Sequence, residues 1–318
     1  MELPIEIRET IDGLTEGVPL RALSDAAERL SSEYRGGVSH GSRIATTRTD
    51  VLAYCTVRMP ATFAAVSRAL ELSLEGFGGA IGSVLDVGAG TGAGALASVL
   101  LTGARSVCCV EREPEMMAAG KQLLEGIVPD IVWKAGDLLD GAFEPADLVL
   151  CSYCLNEVSE SNRMAVLDRL AAAAGKLLVI VEPGTPRSFG WMREARQALL
   201  ARGMSLVAPC PNRASCELPG SDWCHFSART SRTKLHKLLK GAEVPYEDEK
   251  FCFLAATPIR EWAAPCKARV LRHPLVESGK ITLRLCSETG YETRLVSKRE
   301  PAFKKARKVK IGDSFGNR

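Results

Sequence analysis

The chain lacks any apolar run approaching the roughly 20 residues that span a bilayer. With 46% hydrophobic and 25% charged residues it has the balance of an ordinary soluble globular protein, so a membrane protein is not expected. It also lacks an internal repeat. Its N-terminus, MELPIEIRETIDGL, carries four acids and one arginine, where a secretory signal begins basic and a transit peptide is Arg-rich and acid-poor. The expectation is a cytoplasmic protein. An even cysteine count is missing too: eleven cysteines and no signal segment argue for reduced thiols, some of them holding metal. Net charge is small, +3, but uneven. Lys298 to Lys310 contains seven Lys/Arg against one Glu, while the first thirty residues lean acidic, so the basic end suits a polyanion.

At 318 residues the chain exceeds the roughly 250 that one core usually serves, so one main domain with appendages is expected. Helical periodicity runs through Leu20, Leu23, Ala27 and Leu30, then Val51, Leu52, Val57, Phe63, Val66 and Leu70. This is read as an N-terminal helical region, 1–78. Beyond the Gly-rich stretch GFGGAIG, the segments SVLDVGAG, SVCCVERE, IVWKAGD, ADLVLCSY and KLLVIVEP read as strands separated by Ala- and Leu-rich helices. Such alternation predicts a parallel, doubly wound α/β sheet, Rossmann-like, over 79–262. A long amphipathic helix around Trp191 to Leu200 precedes a Cys-rich segment, 208–226, too irregular to order itself by core burial. From 263 to 318 the strands ITLRLC and YETRLVS, joined by the turn SETG, predict a small β module with a basic tail.

Val84 to Gly92, VLDVGAGTG, is an apolar strand running into glycines that open a helix, the position where α/β sheets bind ligands. A glycine-rich loop alone also fits a dinucleotide fingerprint. Asp86 favours S-adenosylmethionine, whose sites use an acid before Gly88, Gly90 and Gly92, with the loop around the methionine part of the ligand. Glu111 ends the next strand about 25 residues later, where an acid can accept both ribose hydroxyls. Asp137, after the third strand, matches the acid that meets the adenine amino group. Cys108 and Cys109 read as core thiols, and Cys151 with Cys154 as structural.

Cys210, Cys216 and Cys224 fall in the irregular segment, where a metal would supply ordering energy. A fourth ligand must come from Cys252, Cys266 or Cys286. Tight C-x2-4-C knuckles are missing, and Cys210-Pro211 is the Cys-Pro step found among iron–sulfur ligands, so a [4Fe–4S] cluster is preferred to zinc. His225, next to Cys224, is not expected to be a ligand.

The strings EYRGG at Tyr34, RMPATFAAV at Arg58, VLDVGAGTG, VEPGTPRSF at Val181, APCP at Ala208, DWCHFS at Asp222, LKGAE at Leu239, YEDEKF at Tyr246 and RLC at Arg284 run through the chain. Together they make it resemble the methyltransferase-like assembly factors of the small ribosomal subunit of bacteria and mitochondria. The resemblance implies an S-adenosylmethionine-dependent methyltransferase fold with a Cys-rich metal-cluster insertion. It also implies a [4Fe–4S] cluster on the residues matching Cys210, Cys216, Cys224 and Cys286, and binding to small-subunit rRNA. After the fourth strand the chain reads SYCLNEV, without the Asn-Pro-Pro-Tyr motif of amino methylation.

An enzyme would draw its base or positioning group from Asn156, Glu157 or Glu182. Asn156 and Glu157 could equally cap the next helix, and Glu182 could hold the PGTP loop. A binding scaffold would instead use its cations: a basic helix with Arg229, Arg232, Lys234, Lys237 and Lys240, and the tail residues Lys304, Lys305, Arg307, Lys308 and Lys310. The sequence thus leads to a monomeric S-adenosylmethionine-binding factor for the small subunit, with methyl transfer to rRNA as the alternative, or a zinc-stapled RNA-binding scaffold.

Overall fold

The structure is a computed structural model that describes residues 1–36 and 45–316; Gly37, the end of the EYRGG string, lies outside them. Among the described residues, α1 (Ile5–Thr15), α2 (Leu20–Gly36), α3 (Arg48–Val57) and α4 (Met59–Leu74) precede the first strand. A capping box starts α3: Thr47 Oγ1 accepts from the Asp50 amide at 3.2 Å, and Asp50 Oδ2 accepts from the Thr47 amide at 3.2 Å. Nearly every residue of α4 is buried, as its almost uncharged sequence requires, because it packs on the sheet and on the helices either side of it. The periodic residues from Leu23 to Leu70 are buried, whereas Leu20, at the start of α2, is exposed.

β1 (Ser83–Val87), α5 (Ala93–Thr102), β2 (Ser106–Glu111), α6 (Pro114–Leu124), β3 (Ile131–Ala135), β4 (Ala146–Ser152), α7 (Glu160–Ala173) and β5 (Ala174–Pro183) alternate as the sequence predicts. They are followed by α8 (Pro186–Ala201), β6 (Ser205–Ala208), β7 (Phe226–Ser231), α9 (Lys234–Lys240) and β8 (Tyr246–Thr257). The sheet runs β3-β2-β1-β4-β5-β8-β6, with β7 also beside β8. β1 to β5 are parallel, but β8 is antiparallel to β5, and β6 and β7 are antiparallel to β8. The expected parallel sheet is therefore found in β1 to β5, and the later strands make the whole sheet mixed. The short α9 returns the chain beside β7 and does not cross over the sheet, and such a return forces antiparallel pairing.

β5 explains where the cores lie. Leu177, Val179 and Val181 join one buried cluster with the N-terminal helices and α5, while Leu178 and Ile180 join another with α7 and α8. Both faces are covered, so the strand reads as one apolar run without polar alternation. Each such side chain contributes about 1.5–3 kcal/mol by leaving water.

The C-terminal part forms its own five-stranded sheet from β9 (Ala268–Val270), β10 (Leu275–Glu277), β11 (Lys280–Ser287), β12 (Gly290–Ser297) and, after α10 (Phe303–Ala306), β13 (Ser314–Phe315). Ile281, Leu283 and Leu285 of β11 point into its core. Period-two alternation therefore turns Cys286 to the opposite face.

Candidate functional site

At the carboxyl ends of β1, β2 and β4 lies a pocket of about 310 Å³ lined by Gly88, Gly90, Glu111, Asp137, Tyr153 and Glu157, among others. Gly88 has φ +70°, and a Cβ there would lie 2.3 Å from the Cys154 sulfur. Only glycine fits between loop and thiol. Gly92 does not line the pocket; it turns the chain into α5 at φ +82°, where a Cβ would meet Leu124 at 2.5 Å. Asp86 lies beneath the loop, fully buried, and its Oδ2 accepts from the Ala95 amide at 2.8 Å. Burial raises its pKa to about 7 against the lowering effect of that hydrogen bond. Asp86 thus anchors α5 and does not face the pocket.

Glu111 braces the rim. Its Oε2 accepts from the Gly90 amide at 2.7 Å, and its Oε1 from the amides of Arg112 and Glu113, each at 2.9 Å. Asp137 Oδ1 accepts from the Leu139 amide at 2.9 Å. Arg112 crosses the mouth, 3.5 Å from Asp137 and 3.8 Å from Glu157.

The three candidates for catalysis are not brought together at the pocket. Glu182 is fully buried and its Oε1 accepts from the Leu155 amide at 2.9 Å, so it holds the one-turn 3-10 helix Leu155–Glu157 and not the PGTP loop. Burial raises its pKa to about 8. Asn156 donates to Ser188 Oγ at 3.0 Å and does not line the pocket. Neither Asn156 nor Glu157 caps α7, whose N-cap is Ser159. Glu157 does line the pocket, and burial raises its pKa to about 7 while Arg112 opposes the rise. Sequence reasoning missed Tyr54, Arg112, Tyr153 and Cys154 in this wall. Tyr153 is a bulky residue at φ 61°, held by a bond from its hydroxyl to Glu249 at 3.1 Å, and Glu249 in turn takes Arg58 at 3.3 Å. Only Cys154 had a signal in its spacing from Cys151; the others come from packing.

A second cavity is lined by Cys210, Cys216, Cys224 and Cys286, with Cys252 and Arg196 beside them. Cys252 is buried and its thiol donates to the Pro183 carbonyl at 3.4 Å, while Cys266 does not line the cavity. His225 stacks on Trp223 at 5.0 Å and does not line it either. Among the described residues no group of three His, Cys, Asp or Glu is close enough to hold a single metal ion. The irregular segment is tied down from outside: Trp223 Nε1 donates to the Gly184 carbonyl at 2.8 Å, and Arg272 donates to the Trp223 carbonyl at 2.8 Å and to Asp222. Burial raises the Cys286 thiol to about 12. It raises Cys210 as well, and the nearby Arg196 guanidinium opposes that rise.

The expected basic helix is shorter than the sequence suggests. Arg229 lies on β7, pairs with Asp248 at 2.7 Å and stacks on the Tyr246 ring at 3.9 Å. Arg232, before α9, and Lys240 both reach Glu247, at 3.3 and 3.2 Å. The acids come from β8, outside the stretch that carries these five cations. Lys234 and Lys237 make no ion pair among the described residues. Lys304, Lys305, Arg307, Lys308 and Lys310 are all exposed around α10.

Residues 48–316 match the family described as mitochondrial small ribosomal subunit Rsm22. The chain belongs to the Rsm22 family. Two Rsm22-cox11 tandem proteins, mitochondrial, of Schizosaccharomyces pombe are 23% identical over 92% of this Rsm22-family chain and 47% of their own length. The chain therefore spans about half the length of these curated relatives. A shorter match, 26% identical over 32% of the chain and 44% of the relative, is to a carboxy-S-adenosyl-L-methionine synthase of Ruthia magnifica. Among solved structures, the magnesium protoporphyrin IX methyltransferase of Synechocystis is 15% identical, covering 72% of this chain and 91% of its own, at a TM-score of 0.40. The N-methyltransferase NodS of Bradyrhizobium japonicum is 14% identical, covering 60% of this chain and 84% of its own, at 0.41. At TM-scores below 0.5 neither likeness bears on the site.

Proposed function

We propose that this Rsm22-family chain binds S-adenosylmethionine and small-subunit rRNA as a scaffold for ribosome assembly, and that it carries a [4Fe–4S] cluster. The observation that carries the reading is the pocket at the sheet's carboxyl edge, where Gly88, Gly90, Glu111 and Asp137 converge from three successive strand ends. Gly88 and Gly90 would take the methionine part, Glu111 the ribose hydroxyls and Asp137 the adenine amino group. Asp86 and Gly92 would act beneath them by fixing the loop to α5.

Cys210, Cys216, Cys224 and Cys286 are the proposed ligands of the cluster: they line one cavity and come from two separate parts of the chain. Bound there, the cluster would join the irregular segment to β11. The cations proposed to meet rRNA are the tail residues with Lys234 and Lys237, while Arg229, Arg232 and Lys240 are engaged by acids of β8. The partner is a small subunit of the bacterial or mitochondrial type. The S. pombe relatives are named mitochondrial, which favours that compartment over the cytoplasm. Among the described residues no helix is long and apolar enough to cross a membrane.

One observation favours methyl transfer as a second reading: Glu157 lines the pocket with its pKa raised to about 7, where a carboxylate can serve as a base near neutral pH. Calorimetry with S-adenosylmethionine, together with mapping of rRNA crosslinks at low salt, tests the scaffold. Loss of one modified base on Glu157→Ala with normal subunit assembly would replace it by the enzyme.

A further inference from the structure

Arg196 lies on the buried side of α8 and is only 4% exposed. Its Nη2 donates to the Asn212 carbonyl at 2.7 Å, yet Nε and Nη1 have no hydrogen-bond partner. It forms no ion pair among the described residues. A guanidinium cannot shed its charge, and a buried cation without a counter-charge is strongly disfavoured. The space Arg196 faces is the cavity of Cys210, Cys216, Cys224 and Cys286. Asn212, which anchors it, also donates to the Ser287 carbonyl at 2.7 Å and lies 3.7 Å from the Cys286 sulfur. The fork is thus fixed between α8 and β11.

A second buried arginine shows the contrast. Arg269 is opposite Cys286 in register and 1% exposed, but it donates to the Gly312 carbonyl at 2.8 Å and lies 3.6 Å from Glu75. Its charge already has a carboxylate. That of Arg196 has none.

We infer that Arg196 is the counter-cation of the thiolate-bound group in this cavity, its Nε and Nη1 donating to the sulfurs there and so raising the group's reduction potential. The inference rests on the reading of the four cysteines as cluster ligands. Four thiolates on an oxidised cubane core leave a net negative charge, and one added electron increases it. A fixed cation stabilises the reduced form more than the oxidised one, which is the direction of a raised potential. Arg196 is accordingly a positioning and charge-balancing residue.

The test is a potentiometric titration of the anaerobically purified full chain, followed by electron paramagnetic resonance, with dithionite supplying the one electron. Arg196→Gln removes the charge; Arg196→Lys keeps the charge without the fork. In Arg196→Gln the reduction equilibrium should fall at least tenfold, about 59 mV for one electron, and in Arg196→Lys by less. Equal potentials in wild type and Arg196→Gln, or equal shifts in both variants, would overturn the inference. If Arg196→Gln retains no iron, Arg196→Lys should still retain it, and equal loss from both would also overturn it. Wild-type protein that is colourless and holds zinc would instead overturn the cluster.

Discussion

The pocket at the sheet's carboxyl edge and the cysteine cavity are built in opposite ways. Around the pocket the loop and rim acids belong to consecutive βα units, and Glu111 and Asp137 accept hydrogen bonds from main-chain amides of the loops they brace. The cysteine cavity takes its walls from α8, the irregular segment, β8 and β11, and it leaves a buried guanidinium without a counter-charge. A site assembled from neighbouring loops orders itself as the sheet forms. One assembled from distant elements, with few apolar residues in the joining segment, depends on whatever it binds.

The largest expected effect would break that comparison at its weaker side. Cys286→Ser should remove the iron, with about four irons per chain falling towards none, and should loosen residues 209–225 as read by hydrogen exchange. Binding of S-adenosylmethionine should persist, because none of the four cysteines lines the pocket. Iron retained with unchanged protection of that segment would mean that it orders itself as the pocket does.

Next in size is the pocket's own weak point. Gly88→Ala places a methyl against the Cys154 sulfur at 2.3 Å in a left-handed backbone, so calorimetry should register at least a tenfold loss of S-adenosylmethionine affinity. Adding Cys154→Ala removes the sulfur but leaves the Cβ of residue 154 at 3.1 Å and the backbone strain, roughly 1–2 kcal/mol, so affinity should return in part. No recovery at all would place the defect elsewhere in the loop.

A smaller effect follows from Glu182, which supports the turn at the pocket's far wall. Its pKa is about 8 in the folded chain, against 4.5 ordinarily. Between those values the folded state keeps a proton that the unfolded state has lost, so this group makes stability fall as pH rises through that window. Glu182→Gln should flatten the decline and stabilise by roughly 1–3 kcal/mol at pH 8, with little change at pH 4. Urea melts at the two pH values measure it, and an unaltered slope would mean that Glu182 is ionised in the fold.

These two sites differ as much in how they read in sequence as in how they are built. The first five strands, the glycine loop and the acids at strand ends were legible because each is local: a run of apolar residues, then glycine or an acid at a fixed offset. β8 was not, because YEDEK opens it with a run of charges whose partners, Arg229, Arg232 and Lys240, lie on or beside other elements. For the same reason Arg229 read as part of a helix although it extends along β7. Cys286 could be drawn to the cavity only through a family resemblance. Its outward face follows from the alternation of β11, but the element it would meet does not. Arg196 carried no sequence signal at all, since an arginine in an amphipathic helix is ordinarily a solvated one.

The smallest effect sharpens which cations belong to the proposed RNA surface. Lys234 and Lys237 lie on α9 without acidic partners among the described residues, whereas Arg232 and Lys240 share Glu247. A phosphate meeting Lys237 displaces only loosely held counterions. One meeting Lys240 must compete with a half-buried carboxylate that burial alone would raise, yet that His236 and Lys240 hold well below its ordinary pKa. Removing both free lysines should therefore lower the slope of log affinity against log salt, by about 0.7 per lost contact on single-stranded RNA. Folding stability should change by no more than about 1 kcal/mol, since Lys234 is exposed and Lys237 is half-buried without an ion pair among the described residues. Arg232→Ala should do the reverse, costing stability by freeing one side of Glu247 while leaving the salt slope unchanged. If the slope instead falls with Arg232→Ala and not with the lysines, RNA binding opens the Glu247 cluster, and the paired cations form the surface.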